Sequence, residues 1–345
     1  MSPSAETSTQ TDIDGFPGLE IAVLIPCLDE ELAVGQVVSD FKTALPGARV
    51  YVYDNGSADA TIEVARRAGA IVRQEPERGK GNVVRRMFAD IDADIYVLAD
   101  GDATYPADQA PMMIHTLLNQ QLDMVNGARV HEDAAAYRPG HQMGNRFITW
   151  LVGMMFGRRF GDILSGYRVF SRRFVKSFPA LSKGFEIETE MTVHALEMRL
   201  PAAEVEVPYH ARPEGSVSKL KTVRHGARII RTIFILIKEE RPLEFFSLIF
   251  LALELASVIL AWPLMIEYLA TGLVPRFPTA ILTTGVALLG FLSLTCGLIL
   301  DTVTHSRQEI KRLHYLSLPA LPPGSTAPPP GGSSPDGSQT DATDR

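Results

Sequence analysis

Cysteine is nearly absent: the 345 residues hold two, Cys27 beside an apolar β-rich run and Cys296 inside a longer apolar run. Two isolated thiols offer neither a disulfide framework nor the paired spacing of a zinc site. They suit a reducing, cytosolic setting. Surplus positive charge is absent as well. The formal charge is -7, but residues 1–20 hold four acids and no base and residues 319–345 hold three Asp and one Arg, so setting aside -4 and -2 leaves -1 for the body. A near-neutral body gives no footing for nucleic acid as a partner, because phosphate-backbone binding needs a clear excess of Lys and Arg. Residues 1–18 are Ser/Thr-rich and acidic and lack an apolar core, so they read as a disordered leader and not a signal peptide. No repeat of solenoid type is present.

Apolar content is ample, at 46%, enough for a real core. Between residues 19 and 129, β-rich runs at 21–26, 49–53, 70–72, 94–99 and 124–127 alternate with helix-like segments at 32–45, 60–68, 82–90 and 107–119. That alternation predicts an α/β domain with a largely parallel sheet, whose ligands bind at the carboxyl ends of the strands. A helix-like apolar stretch at 145–156 is too short to span a bilayer. A strand at 167–171, a helix at 186–199 and a strand at 202–207 complete a catalytic domain expected over 19–215.

The character then changes. Six bases and no acid stand between Lys219 and Lys238. Lys221, Arg224, Arg228 and Arg231 share one helical face, while Val223, Ile230, Phe234 and Ile237 share the other. The segment 216–242 reads as an acceptor loop and amphipathic helix, lying either on an anionic membrane surface or on the protein as a solvated basic face. Two apolar runs, 245–269 and 279–300, each reach the length of a membrane span, so 243–304 is expected to form a transmembrane hairpin; a buried pair in a soluble oligomer is the alternative. Lys238 and Arg241 precede the first run, Arg307, Lys311 and Arg312 follow the second, and the turn carries only Arg276. The positive-inside rule places both ends in the cytoplasm and the chain, as a multi-pass protein, in the cell (inner) membrane. Glu254 and Glu267 weaken the first span. Residues 305–345, ending in a Pro/Gly/Ser/Thr-rich stretch, are expected to be a disordered cytoplasmic tail.

The sharpest local pattern is Asp100-Gly101-Asp102 at the end of an apolar strand. Two carboxylates one residue apart form a hard-oxygen site for Mg²⁺ or Mn²⁺ able to bridge a diphosphate, although Asp and Gly also serve turn geometry alone. Pro26 through Glu31 follow the first strand, with Asp29 and Glu30, and Asp54-Asn55-Gly56 follows the second, so acids gather on one rim where they can accept hydrogen bonds from a ribose and a base. Lys80-Gly81 opens the helix before the Asp100 strand, and its charge and the helix N-terminus suit a phosphate.

These segments together resemble the inverting glycosyltransferases of the GT-A fold, a Rossmann-like nucleotide-sugar domain, and within them the polyprenyl-phosphate sugar synthases that include dolichyl-phosphate mannose synthase. The resemblance spans about residues 20–232 and rests on IPCLDEE, VYDNGSADAT, RGKGN, DGD, SGYRVFSR at 165–172, GFEIETEM at 184–191 and SVSKL at 216–220. It implies that Asp29 and Asp54 hold the nucleoside, that Lys80 serves the same pocket and that Asp100 and Asp102 bind the metal–diphosphate unit. Thr104 stands where some mannose synthases carry Gln, which removes a third side-chain metal ligand. The donor expected first is UDP-glucose or UDP-N-acetylglucosamine, with GDP-mannose open. For the acceptor, a polyprenyl phosphate in the bilayer, Arg129, Arg146, Arg168, Ser218 and Lys219 are the candidate phosphate ligands. Such an acceptor is largely anionic near neutrality and needs no strong base. A hydroxyl acceptor would need one, and Asp162, Glu188 and Glu190 are candidates for that role or for orienting the arginines. The rivals are a polysaccharide-forming transferase, whose usual Gln/Arg-x-x-Arg-Trp signature is missing, and an inactive membrane scaffold, against which the intact Asp100/Asp102 pair and Lys80 argue.

Overall fold

The computed structural model describes residues 16–131, 149, 150, 153, 160–213, 234, 235 and 237–321. Several sequence expectations lie outside them: most of the leader, most of the stretch at 145–156 with Arg146, Ser218 and Lys219, the basic face from Lys221 to Arg231, and residues 322–345.

Apolar runs alternating between two faces build a seven-stranded sheet. Its strands are β1 (Ile21–Cys27), β2 (Arg49–Asp54), β3 (Ile71–Gln74), β4 (Ile95–Leu98), β5 (Met124–His131), β6 (Arg168–Ser171) and β7 (Ala202–Tyr209), in the order β3-β2-β1-β4-β6-β5-β7. Pairing is parallel except where β6 runs against β4 and β5. Residues on one face, among them Leu24, Tyr53, Tyr96 and Leu98, pack under α3 (Lys80–Asp90), α5 (Arg172–Ser177) and α6 (Ile187–Glu197). Their neighbours Val23, Ile25, Val52 and Val97 pack on the other face under α1 (Val34–Ala44) and α4 (Ala110–Asn119). This period-2 alternation is what a sheet buried on both sides requires. A shorter helix, α2 (Thr61–Arg67), connects β2 to β3.

The register decides where function can sit. Leu98 of β4 pairs with Arg168, the first residue of antiparallel β6, and β5 and β7 run parallel to each other. The carboxyl ends of β1, β2, β4, β5 and β7 therefore converge on one rim, and β6 enters the sheet from it.

Beyond residue 237 the chain forms α7 (Pro242–Thr271) and α8 (Phe277–Leu316), joined by a turn in which Gly272 adopts φ 67°. Both are long and apolar enough to cross a membrane. They face each other through small residues, with Gly297 against Phe246 and Gly290 against Glu254. The Ser293 and Ser257 hydroxyls donate to the carbonyls of Phe246 and Thr283, each at 3.2 Å. Their remaining apolar side chains, such as Leu255, Trp262, Phe291 and Ile299, are exposed, a surface that water would not stabilise and lipid does. The chain is membrane-associated.

The expectation of a disordered tail from residue 305 is corrected, because α8 continues unbroken to Leu316. Its last turns dock on the soluble domain. Lys311 Nζ lies 3.1 Å from Glu197 and 3.4 Å from Glu240, Arg312 donates to the Met198 carbonyl at 3.1 Å, and the Tyr315 hydroxyl donates to Asp123 at 2.6 Å. These polar contacts hold the helix end on the soluble domain while Ile310, Leu313 and Leu316 stay exposed.

Candidate active site

The rim is an acidic cup closed by cations. Asp100 and Asp102 lie in the turn directly after β4. Thr104 orients Asp102, its hydroxyl donating to Oδ1 at 2.6 Å and its amide at 3.2 Å. Asp102 is buried, and burial first, then the neighbouring Asp100 charge, raise its carboxyl above the ordinary range. At the adjacent end of β1, burial and then the charges of Glu30, Asp54, Asp100 and Asp102 raise the Cys27 thiol, which marks a shared negative field.

Lys80, the first residue of α3, answers that field. Its Nζ pairs with Asp100 and, at 2.6 Å, with Glu188 in the first turn of α6. Burial alone would lower the ammonium, but the Asp100 and Glu188 charges overcome it and raise it. The approach is held by glycine. A Cβ at Gly79 would run into the Lys183 carbonyl and one at Gly81 into the Ser182 carbonyl, so the loop at 180–184 can cross the N-terminus of α3 only above these two residues. Glu190 fixes that loop by accepting from the Leu181 and Ser182 amides at 2.8 and 2.7 Å.

A second cation closes the cup from β7. Arg212 Nη2 lies 2.5 Å from Asp102 Oδ2, and Nη1 lies 3.9 Å from Glu30. Sequence reasoning missed Arg212; the only signal was a base three residues beyond a strand that ends on the active rim.

The candidate nucleoside residues form one loop system. Asp54 is fully buried and accepts from the amides of Gly56 and Ser57 at 2.9 and 3.0 Å and from the Ser57 hydroxyl. Asn55 accepts from the Gly79 amide at 2.7 Å and donates to the carbonyls of Glu75 and Glu77. Asp29, at φ 49°, accepts from the Ala58 amide, and the Glu30 amide donates to Thr61. Pro26 lies in β1 opposite Tyr53. These residues shape the pocket floor, and Asp54 does so with both carboxylate oxygens engaged.

On the acceptor side, Arg129 and Asp162 come together as a bidentate pair at 2.7 and 2.9 Å, so of the two roles open to Asp162, orienting an arginine is the one its geometry fits. Arg168 requires a correction. It is fully buried, donating to the Ser165 and Ile163 carbonyls at 3.0 and 2.8 Å and to the Thr192 hydroxyl at 3.0 Å. Burial lowers its guanidinium to about 10. All three nitrogens are used inside the protein, and no face is left for a lipid phosphate. Arg168 instead shapes the 163–166 turn, where a Cβ at Gly166 would come within 2.6 Å of Asp100 Oδ2.

A hard divalent cation fits these donors. Asp100 and Asp102 are oxygen ligands that already draw one cation each. Among the described residues no three His, Cys, Asp or Glu are arranged to hold a metal ion by themselves, so a cation on the two carboxylates would take further ligands from diphosphate oxygens and water, as Mg²⁺ and Mn²⁺ sites commonly do.

Comparison with known proteins agrees with this architecture. The glycosyl transferase family 2 model matches residues 22–178. Glycosyltransferase AglJ of Haloferax volcanii is 32% identical over 303 residues, covering 86% of this chain and 98% of that protein. The dolichyl-phosphate hexose transferase of the same organism is 29% identical over 223 residues, covering 64% of this chain and 96% of its own. Glucosyl-3-phosphoglycerate synthase from Mycobacterium tuberculosis, solved with Mn²⁺ and uridine diphosphate, shares the fold with a TM-score of 0.53 at 23% identity, over 63% of this chain and 79% of that one. With its GT-A sheet, its acidic strand-end cup and these relatives, the chain belongs to glycosyl transferase family 2 and is a membrane-associated glycosyltransferase.

Proposed function

We propose that the protein transfers a hexose, with inversion, from a nucleotide diphosphate sugar to a polyprenyl phosphate at the cytoplasmic face of the cell membrane. The donor proposed first is UDP-glucose or UDP-N-acetylglucosamine, then GDP-mannose. The observation that carries the reading is that three candidate base carboxylates near the cup are already committed: Asp162 to Arg129, Glu188 to Lys80, and Glu190 to two backbone amides. A hydroxyl acceptor would need one of them to take its proton, whereas a phosphate oxygen attacks as an anion. The name of the Haloferax dolichyl-phosphate relative and the exposed apolar hairpin support a lipid acceptor.

In this reading Asp100 and Asp102 hold Mg²⁺ or Mn²⁺, which when bound neutralises charge developing on the leaving diphosphate. Lys80 keeps Asp100 aligned and adds a fixed positive charge beside the leaving group. The loop set by Asp54, Asn55 and Gly56, with Asp29 and Glu30, receives the nucleoside, and Gly81 lets the 180–184 loop close against α3 beside Lys80. Arg129, oriented by Asp162, and Arg146, Ser218 and Lys219 receive the acceptor phosphate. The test is transfer from a panel of radiolabelled nucleotide sugars to one polyprenyl phosphate in detergent, with and without a chelator. Label that stays base-stable on a hydroxyl acceptor, or transfer indifferent to chelation, would refute the corresponding part.

A further inference from the structure

Arg212 stands where a cation bound to Asp102 would have to stand. The Thr104 hydroxyl and amide take Asp102 Oδ1, which leaves Oδ2 as the outward oxygen, and Arg212 Nη2 sits 2.5 Å from it. A divalent ion contacts a carboxylate oxygen at ~2.1 Å and cannot share that position with a guanidinium, since two positive centres would then lie within about 4 Å of each other. The geometry also makes departure easy. Asp102 and Glu30 are buried, whereas the Arg212 side chain is 23% exposed. Among the described residues its Nη1, though buried, has the 3.9 Å Glu30 contact and no hydrogen-bond partner. The main chain behind it is anchored, because the His210 amide donates to the Thr104 carbonyl at 2.9 Å. The side chain can therefore swing outward without disturbing the sheet.

We infer that Arg212 is a displaceable counter-ion that occupies the metal's place on Asp102 until metal and nucleotide diphosphate arrive together. This rests on the proposed metal site and adds an order of events. A divalent ion alone must evict the guanidinium and then sits beside it. A diphosphate brings the negative charge that lets both cations remain, so metal and nucleotide bind cooperatively and the segment leaving β7 senses the loaded cup. Arg212 acts through Asp102 and is a positioning residue.

Mn²⁺ binding to the full-length protein in detergent, read by the electron paramagnetic resonance of free Mn²⁺, tests this with and without UDP or GDP. The native protein should bind Mn²⁺ weakly alone and much more tightly with nucleotide. Arg212→Ala should bind Mn²⁺ alone about tenfold or more tightly, because a charge-assisted competitor is gone, and the gain from nucleotide should shrink. Added guanidinium ion should restore weak binding. Arg212→Gln, closer in size, should follow Arg212→Ala, and Arg212→Lys should follow the native protein. Unchanged Mn²⁺ affinity in folded Arg212→Ala and Arg212→Gln overturns the role of Arg212 while leaving the metal site intact. Native protein that binds no Mn²⁺ with any nucleotide, like an Asp102→Asn control, overturns both.

Discussion

Lys80→Met removes the single positive charge that two acids share. The Lys80 side chain is 9% exposed and that of Glu188 5%, and among the described residues Glu188 Oε2 has no hydrogen-bond partner. Without Nζ, Glu188 becomes a buried carboxylate with no compensation, a change that typically costs 3–5 kcal/mol. The protein limits that cost by protonating Glu188. Its pKa is already raised, by burial first, against the Lys80 charge and with help from Asp100, and loss of Lys80 must raise it further. The penalty is then bounded by the work of protonating a glutamate of ordinary pKa 4.5. At pH 7 this is about 3.4 kcal/mol, and at pH 5 about 0.7 kcal/mol, at ~1.36 kcal/mol per unit. A raised acid is at full stability below its unfolded pKa and loses stability as pH rises, so Lys80→Met should be near native in stability at pH 5 and clearly weakened at pH 7. Denaturant unfolding in detergent across that range measures it. Adding Glu188→Gln should recover most of the loss at pH 7 without restoring transfer, because nothing then replaces the charge beside Asp100. A pH-independent loss, or no recovery in the double variant, would refute the shared-cation account.

Three further outcomes follow from named contacts. Arg168→Lys should lower stability by about 2–4 kcal/mol, since one ammonium cannot serve three separated acceptors, and should leave the KM for acceptor unchanged at a permissive temperature; the reverse result would return Arg168 to the acceptor site. Gly81→Ala should cost about 1–3 kcal/mol and loosen the 180–184 loop through collision with the Ser182 carbonyl, which differential scanning and proteolysis would report. His194, held between Phe174 and Phe178, is depressed from 6.5 to about 3 by burial and then by the Lys311 charge. Its contribution is whole above pH 6.5 and is lost as pH falls toward 3, at ~1.4 kcal/mol per unit. His194→Phe should flatten that part of the stability profile by one proton.

Where side chains project from strand ends, their neighbourhood was legible in the sequence. Asp29, Asp54 and Asp100 each follow an apolar run, and parallel pairing brings such ends together whatever the loops between them do. Lys80 was legible because it opens a helix next to glycine. Direction was harder to read. Arg168 has the same charge and a rim position like that of Arg129, yet β6 enters antiparallel and turns Arg168 inward to three acceptors that no local spacing reveals. Arg212 and Asp102 are 110 residues apart in the chain, and their pairing depends on β7 lying at the far edge beyond β5. The last turns of α8 were illegible for a related reason: a charged segment after the apolar run reads as a tail, and its helix is supported by distant partners, Glu197, Met198 and Asp123.

That uninterrupted α8 makes residue count a measure of altitude and rotation. From Leu300, where the apolar run ends, to Lys311 the helix rises about 16 Å and turns about three times. The height of the soluble domain above the lipid and the compass direction of its docking contacts are thus written into one rod. Adding a single residue within 301–310 would rotate Lys311, Arg312 and Tyr315 by about 100° away from their partners, whereas adding seven would nearly restore their bearing and lift the domain by about 10 Å. The headgroup of the proposed acceptor, a polyprenyl phosphate, is confined to one plane, so under that proposal the rod sets which level of the catalytic domain the plane meets.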